Sequence, residues 1–355
     1  KARIIGDTGA YASLGPAVMN RSAGHAAAGF HVPNVDVISK AIYTNNLPAG
    51  AMRGFGVNQV TFAMECAVDE LCELGGFDRW QFRYDNALEN GSMTTTGQIL
   101  KGGVGLKQTL LAVKEDFQNA KYAGIAMGIK NIGFGNGLVD ESETRLDIKS
   151  DSEIILSHGW TEMGQGIDTI AVQIFCETTG LNPELVTINH STTAKVLGGT
   201  TTASRGTFLL GNSVIEVALK LKKDLEEKPL KDLVGKTYRG TWTCDWTEKP
   251  GTSEETITHV AYGYATQVVI LDDNGELQKV IAAHDVGKAI NPKLLEGQVE
   301  GGVAMGLGYA YSEDLPLENG QLVTTRFGKL GIPKIKSIPE IDVRIVEEED
   351  PHGPY

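Results

Sequence analysis

A short segment of unusual composition contains the residues that are best suited to chemistry. Residues 51–56 read AMRGFG, so Arg53 and Phe55 each stand beside glycines. A guanidinium is a planar group of five donors that suits an oxo group or a carboxylate, and a phenyl ring can lie against a flat ligand. Glycine permits the turns and close backbone approaches that such a site needs. The segment predicts one wall of a ligand site; a tight turn with a surface arginine is the alternative.

Two other glycine-containing segments each lead directly into a predicted helix. They are GQG at residues 164–166 and GGTTTASRGT at residues 198–207. The first amides of a helix lack partners within the helix and lie at the positive end of its dipole, so they bind anions such as phosphate. Arg205 and the hydroxyls of Ser204 and Thr207 add donors at the second segment. We therefore predict a diphosphate or dinucleotide between two helix ends; ordinary helix capping is the alternative.

Other motifs of cofactor and metal sites are missing. GFGNG at residues 133–137 has the wrong spacing for a dinucleotide fingerprint, and no helix follows it. His158, His190 and His284 have no metal-ligand spacing, so each is expected to be a structural histidine with its hydrogen bonds satisfied.

The composition narrows the class of protein. The four cysteines form no C-x-x-C pair, which argues against a zinc or iron–sulfur site within this chain and favours a reducing cytoplasm. A formal charge of −13 argues against nucleic acid as a partner. The apolar runs are too short for a membrane span, so no membrane association is expected.

The elements that must position these residues follow from apolar periodicity. Spacings of three and four predict helices over residues 58–74, 106–119, 167–175, 207–225 and 292–309. Alternation predicts strands over residues 124–132, 144–148, 153–157, 186–189, 256–271, 279–283 and 341–346. Residues 226–255 are charged and weakly periodic, and we expect them to form a surface excursion. The mixture predicts an α+β fold with mixed sheets and packed helices, divided into residues 1–122 and 123–355.

Five segments together resemble the molybdopterin-binding subunit of the xanthine dehydrogenase/aldehyde oxidase family, and its bacterial purine dehydrogenases most of all. They are AMRGFG at 51–56, TEMGQG at 161–166, TTASRGT at 201–207, HDVGKAINP at 284–292 and GQVEGG at 297–302. The resemblance implies molybdenum-cofactor-binding domains. Residues 1–122 would be the C-terminal part of the first molybdopterin-binding domain, and residues 123–355 a second one truncated at its C-terminus.

The resemblance also implies roles for individual residues. Arg53 matches the active-site arginine beside the molybdenum and the substrate. Phe55 and Phe134 match two phenylalanines that enclose the substrate ring. Arg21 matches a substrate-binding arginine of purine oxidisers, which aldehyde-specific relatives tend to lack. The residues that match loops around the pterin and its phosphate are Gly164, Gln165, Gly166, Ala203, Ser204, Arg205, Gly206 and Thr207.

The activity implied is hydroxylation of a purine such as xanthine or hypoxanthine, with a water-derived oxygen inserted at a ring carbon. Molybdopterin with molybdenum, in its cytosine dinucleotide form, is the expected cofactor. Iron–sulfur clusters and FAD are expected on other domains or subunits of an oligomeric enzyme. An aldehyde or nicotinate hydroxylase of the same family and a non-catalytic cofactor-binding fragment are the alternatives.

The sequence departs from the family pattern in three places. The glycine-rich motif with the catalytic glutamate is expected just beyond residue 355, and a phenylalanine–glycine–glycine loop is expected before residue 1. Met305 stands where some relatives have a glutamine that contacts the pterin. This chain alone is therefore expected to be inactive.

Overall fold

The computed structural model describes all residues, 1–355. The helices are α1 (Gly15–Gly24), α2 (Val57–Gly75), α3 (Arg79–Asn86), α4 (Leu106–Asn119), α5 (Ile167–Thr179), α6 (Gly206–Glu227) and α7 (Pro292–Tyr311). The strands are β1 (Ala2–Gly9), β2 (Val37–Tyr43), β3 (Ala123–Ile132), β4 (Asp140–Ser150), β5 (Glu153–His158), β6 (Val186–Asn189), β7 (Thr237–Cys244), β8 (Ala261–Leu271), β9 (Leu277–Asp285), β10 (Leu317–Glu318), β11 (Gln321–Leu322) and β12 (Glu340–Val346).

One compact unit, which we call unit 1, comprises residues 1–130, 263–286 and 295–348. Its main sheet has the strand order β12-β9-β8-β3, in which β9 is parallel to β12 and antiparallel to β8. Val280 and Ala282 of β9 and Val299 and Val303 of α7 form an apolar core. A separate pair of parallel strands, β1 and β2, packs against α1. This unit contains Arg21, Arg53 and Phe55.

The second compact unit, unit 2, comprises residues 131–262, 287–294 and 349–355. Its sheet has the order β6-β5-β4-β7, and α5 and α6 pack together, with α6 against β4 and β7. Ile170 and Ile174 of α5 are buried four residues apart on one face, as an amphipathic helix requires. They join one large core with Leu146, Leu156 and Leu210. This unit contains Phe134 and both glycine-containing segments.

The prediction of an α+β fold with mixed sheets and packed helices is confirmed. The surface excursion predicted for residues 226–255 is wrong in part, because β7 lies there and pairs antiparallel with β4. Helix α3 was not predicted because its eight residues include only three large apolar ones. The two units interleave along the chain, so they divide it differently from the linear domains 1–122 and 123–355, which stay a prediction.

No helix of the chain combines the length with the apolar content that crossing a membrane demands.

Candidate functional site

The AMRGFG segment of unit 1 forms a strained turn into α2. Gly54, Phe55 and Gly56 have φ values of 106°, 52° and 93°. A left-handed conformation costs a residue with a side chain about 1–2 kcal/mol. A Cβ atom on Gly56 would lie 2.3 Å from the carbonyl oxygen of Val18 in α1, so only glycine fits there. The turn presents a half-buried Phe55 and an exposed Arg53.

Helix α1 holds this turn through a residue that the sequence did not single out. The hydroxyl of Ser22 is buried and donates to the carbonyl oxygen of Gly56 at 2.9 Å. Arg21 precedes Ser22 in the last turn of α1 and is half-buried. Within unit 1, α1, which carries Arg21, is therefore hydrogen-bonded to the turn that carries Arg53 and Phe55.

The guanidinium of Arg53 lies against α7. Its Nη2 donates to the backbone carbonyl of Gln298 at 2.8 Å, and Nη1 lies 4.0 Å from the sulfur of Met305. A Cβ atom on Gly301 or Gly302 would lie 3.6 or 3.7 Å from this guanidinium, which is ordinary van der Waals contact. The GQVEGG segment thus places Gln298, Gly301 and Gly302 beside Arg53. Met305, further along α7, also lies near its guanidinium.

His284 departs from the predicted structural role. Its Nε2 is buried and has no hydrogen-bond partner, although the side chain as a whole is half-buried. Burial and then the positive charge of Arg53 lower the pKa of His284 to about 4, so the ring is neutral at pH 7. A neutral imidazole beside Arg53 can accept or donate one hydrogen bond without adding charge.

His158 and His190 both pair with one carboxylate in unit 2. Their Nε2 atoms lie 3.1 and 3.0 Å from the two oxygens of Asp168, at the start of α5. Burial lowers the pKa of His158. The buried Nε2 of His158 nevertheless has no hydrogen-bond partner, so the prediction that its hydrogen bonds are satisfied is not met for this ring.

At the loop of residues 164–166, the structure contradicts part of the predicted anion site. The carboxylate of Glu162 accepts from the amides of Gly164 at 2.7 Å, Gly166 at 3.0 Å and Asp168 at 3.3 Å. Burial alone would raise the pKa of Glu162, but these hydrogen bonds lower it below its usual value. The amides at the start of α5 are therefore taken by the chain's own carboxylate.

Gln165 is also engaged within that loop. Its Nε2 donates to the carbonyl of Thr161 at 2.7 Å, and its Oε1 accepts from the amide of Met163 at 2.6 Å. A cofactor role for Gly164, Gln165 and Gly166 stays a prediction, and it cannot depend on open amides at this helix end.

The second segment leaves its helix end open. Ala203 and Ser204 adopt left-handed conformations with φ values of 61° and 50°, and α6 starts after Arg205 without a side-chain cap. The backbone amide of Gly133 donates to the carbonyl of Ala203 at 3.2 Å. The amides at Gly206 and the residues after it therefore remain suited to an anion.

Arg205 is buried, and two of its guanidinium nitrogens are already bound within the chain. It is 3% exposed, forms an ion pair with Asp140, and donates to the carbonyl of Thr200 at 2.6 Å. Its guanidinium carbon lies 4.0 Å from the centroid of the Phe134 ring, and the amide of Phe134 donates to Asp140 at 2.7 Å. Arg205 and Asp140 thus fix Phe134, whose half-buried ring has one face against the guanidinium.

The two loops of unit 2 lie side by side. The amide of Thr161 donates to the hydroxyl of Thr201 at 2.9 Å. Gly159 and Gly198 approach so closely that a Cβ atom on Gly198 would lie 2.4 Å from the carbonyl carbon of Gly159. The Nε of Arg205 is buried without an acceptor next to the uncapped start of α6. A buried donor of this kind suits an anion such as phosphate.

The chain is similar to known proteins over nearly its whole length. The family model described as a molybdopterin cofactor-binding domain matches residues 1–87 in one form and residues 108–233 and 229–339 in another. A protein of Bacillus subtilis that is described as a probable xanthine dehydrogenase subunit is 30% identical over 99% of this chain and 54% of its own length. The chain belongs to the molybdopterin-binding subunits of the xanthine dehydrogenase/aldehyde oxidase family.

Other members of the family differ in the substrates that their names state. The structure of aldehyde oxidoreductase from Desulfovibrio desulfuricans superposes with a TM-score of 0.86 at 26% identity, over 99% of this chain and 42% of that one. The nicotinate dehydrogenase large molybdopterin subunit of Eubacterium barkeri is 45% identical over 32% of this chain and 26% of its own length. The chain thus spans about half the length of the xanthine dehydrogenase subunit it matches.

Family membership confirms the prediction of molybdopterin cofactor-binding domains. The individual site residues stay predictions. Three of them lie in unit 1: Arg21, Arg53 and Phe55. The others lie in unit 2: Phe134, Gly164, Gln165, Gly166, Ala203, Ser204, Arg205, Gly206 and Thr207.

Proposed function

We propose that this chain is the molybdopterin-binding part of an enzyme that hydroxylates a purine such as xanthine or hypoxanthine at a ring carbon, with oxygen from water. The observation that carries the purine assignment is Arg21. It lies half-buried in α1, and α1 is bonded through Ser22 to the turn that holds Arg53. An arginine suits the oxo groups of a purine because its planar donors match them. The name of the relative from Bacillus subtilis supports the same substrate class.

Arg53 is the proposed catalytic residue. Its guanidinium is held by the carbonyl of Gln298, so a fixed positive charge can stabilise negative charge that develops on the heterocycle. Removal of one such donor costs about 10²–10³-fold in rate in well-studied cases. Phe55 and Phe134 are proposed as contacts to the substrate ring. When bound, the molybdenum cofactor supplies the two-electron oxidation of the ring carbon.

The cofactor is proposed to be the cytosine dinucleotide form of molybdopterin. The open start of α6, at Gly206 and Thr207, and the buried Nε of Arg205 are the donors that support a phosphate there. The loop at residues 164–166 is proposed to contact the pterin through surfaces other than its amides at the start of α5.

The complete enzyme is proposed to include iron–sulfur and FAD domains or subunits and to be oligomeric and cytoplasmic. Relatives described as single subunits of larger enzymes support the partner subunits. The four free cysteines support a reducing compartment. The linear domains 1–122 and 123–355 remain part of this proposal.

Kinetics of an Arg21 variant test the purine assignment. In the complete enzyme, Arg21→Met should raise the KM for xanthine by about 10-fold or more, since hydrogen bonds to charged groups are worth about 1.5–3 kcal/mol. The KM for an aromatic aldehyde should change less than twofold. Equal changes for both substrates would contradict the purine assignment and favour an aldehyde hydroxylase.

Molybdenum and pterin analysis tests the second alternative. The complete enzyme should contain both, and Arg53→Met should retain them while losing turnover. A preparation that contains the pterin but hydroxylates neither purines, nicotinate nor aldehydes would favour the alternative of a non-catalytic cofactor-binding fragment.

A further inference from the structure

The turn that presents Arg53 and Phe55 is strained over three successive residues. Gly54, Phe55 and Gly56 all have positive φ values, of 106°, 52° and 93°. Two hydrogen bonds lie within the turn, at 2.8 Å to the carbonyl of Met52 and at 3.2 Å to that of Gly54. Strained backbone of this kind persists only where the surrounding structure holds it. The turn therefore depends on contacts from outside itself.

Ser22 of α1 provides such a contact. Its side chain is 1% exposed, and its hydroxyl donates to the carbonyl of Gly56 at 2.9 Å. The same hydroxyl oxygen lies 3.1 Å from the carbonyl oxygen of Val18, one turn earlier in α1. Because a serine hydroxyl carries a single proton, Ser22 bonds either to the strained turn or back onto its own helix. The bond to Gly56 is the one that ties the turn to α1.

Gly56 brings the acceptor of this bond close to α1. A Cβ atom on Gly56 would lie 2.3 Å from the carbonyl oxygen of Val18 and 2.5 Å from the hydroxyl oxygen of Ser22. Gly56 is also the residue at which α2 begins, and no side chain caps this helix end. The carbonyl of such a residue is the first acceptor of its helix. The bond from Ser22 therefore fixes both the turn and the start of α2.

Helix α1 is itself fastened to the strand pair of β1 and β2. The hydroxyl of Ser39 in β2 donates to the carbonyl of Met19 in α1 at 2.9 Å. A Cβ atom on Gly6 of β1 would lie 2.2 Å from the sulfur of Met19, so the helix packs directly on the strand. Close packing of this kind resists displacement. Ser22 thus bonds the turn to an element with a fixed position.

Arg53 is thereby held at two ends. Its guanidinium donates to the backbone carbonyl of Gln298 in α7 at 2.8 Å, and its backbone belongs to the turn that Ser22 holds. A cation that stabilises charge in a transition state must be in place before the reaction. A displacement of about 1 Å, even one caused far from the chemistry, can cost about 10²-fold in rate.

We propose that Ser22 is a positioning residue for the hydroxylation, which acts on Arg53 and Phe55 through the carbonyl of Gly56. Its buried hydroxyl takes no chemical part in the reaction. This inference rests on the proposed function, because it takes Arg53 as the residue that acts on the substrate. It adds a residue that sets the place of Arg53 from the side opposite to Gln298 along the arginine, its backbone.

Ser22→Ala in the complete enzyme tests this role, with Ser39→Ala as the matched control. Each variant removes a serine hydroxyl that donates to a backbone carbonyl at 2.9 Å, and both bonds involve α1. Both variants should therefore lower the urea midpoint of unfolding by a similar amount. Kinetics would use whichever of xanthine, nicotinate and an aromatic aldehyde the wild type hydroxylates.

Ser22→Ala should lower kcat by about 10- to 100-fold, whereas Ser39→Ala should keep kcat within about twofold of the wild type. The KM of Ser22→Ala should stay within about threefold, because the lost interaction acts in the transition state. A loss of kcat that is equal in the two variants would show a general loss of structure and would overturn the proposal.

Arg53→Lys provides a second background for the same change. Lysine keeps the positive charge but lacks the planar group of donors. In this background Ser22→Ala should lower kcat by less than about threefold, because the group that Ser22 positions is already absent. Equal factors in the two backgrounds would show that Ser22 acts independently of Arg53, which contradicts the proposed role.

Amide hydrogen exchange gives a readout that does not depend on turnover. The peptide that spans residues 52–58 should exchange about 10-fold faster in Ser22→Ala than in the wild type or Ser39→Ala, because one buried hydrogen bond is lost. An unchanged exchange rate, or a faster one with unchanged kcat, would overturn the role of Ser22. If the wild type hydroxylates none of the three substrates but exchange responds as expected, the proposed function is contradicted and the hold of Ser22 on the turn is supported.

Discussion

The guanidinium carbon of Arg205 lies 4.0 Å from the centroid of the Phe134 ring. The carboxylate of Asp140 completes this arrangement, since it pairs with Arg205 and accepts from the amide of Phe134 at 2.7 Å. Both charged side chains are 3% exposed. A residue predicted to bind cofactor phosphate thus also orients a residue predicted to contact substrate, within unit 2.

Arg205→Met should destabilise unit 2 strongly, because it leaves the buried carboxylate of Asp140 without its cation. The expected loss is about 3–5 kcal/mol in the free energy of unfolding, measured by urea titration. The double variant Asp140→Asn with Arg205→Met should recover a large part of the loss. A single variant within about 0.5 kcal/mol of wild type would show that the ion pair does not support the fold.

Glu162→Ala should expose the amides at the start of α5 that Glu162 now satisfies. The expected loss is about 1–2 kcal/mol, which is typical of a removed helix cap. Sulfate should then raise the melting temperature of the variant more than that of the wild type, because the freed amides bind an oxyanion. For Glu162→Gln, the rise in melting temperature caused by sulfate should lie between those of the wild type and Glu162→Ala. An equal response to sulfate would mean that Glu162 does not occupy this helix end.

Gly198→Ala should separate the two loops of unit 2, since its Cβ atom would lie 2.4 Å from the carbonyl carbon of Gly159. Backbone shifts of this kind cost about 1–3 kcal/mol. Gly297→Ala is the matched control, because no atom lies within 4 Å of its added Cβ and it stands within α7. Urea unfolding should show a loss for the first variant and a gain of up to about 1 kcal/mol for the second. Equal stabilities would contradict the close approach of the loops.

Acid should destabilise unit 1 through His25. The pKa of His25 is lowered from 6.5 to about 3, mainly by burial, so the unfolded chain takes up the proton first as pH falls. The contribution of His25 to stability is therefore complete above pH 6.5 and decreases toward pH 3. At pH 5 the expected loss is about 2 kcal/mol.

His25→Gln tests this effect, because glutamine keeps a hydrogen-bond donor without titrating. Urea unfolding at pH 7.5 and at pH 5 should show a smaller difference for this variant than for wild type. His284, whose pKa is lowered to about 4, acts in the same direction and remains in both proteins. An unchanged difference would argue against a buried, neutral His25.

The helices show how far sequence periodicity reaches. Residues 58–74 and 106–119 were predicted from apolar spacing and correspond to α2 (Val57–Gly75) and α4 (Leu106–Asn119). Such helices are predictable because their buried faces repeat along the chain itself. Strand β7 was missed because exposed and charged residues surround its short alternation, and its pairing with β4 is a contact of distant residues.

The sequence by itself determined the family, the α+β class and which residues match the family's motifs, because these depend on residue types in a fixed order. Only the tertiary structure decided how those residues are used. It showed that Glu162 fills the helix end predicted for an anion and that Arg205 is paired with Asp140. The physical reason is that hydrogen bonding, burial and charge depend on neighbours brought together by folding, and their spacing along the chain does not report them.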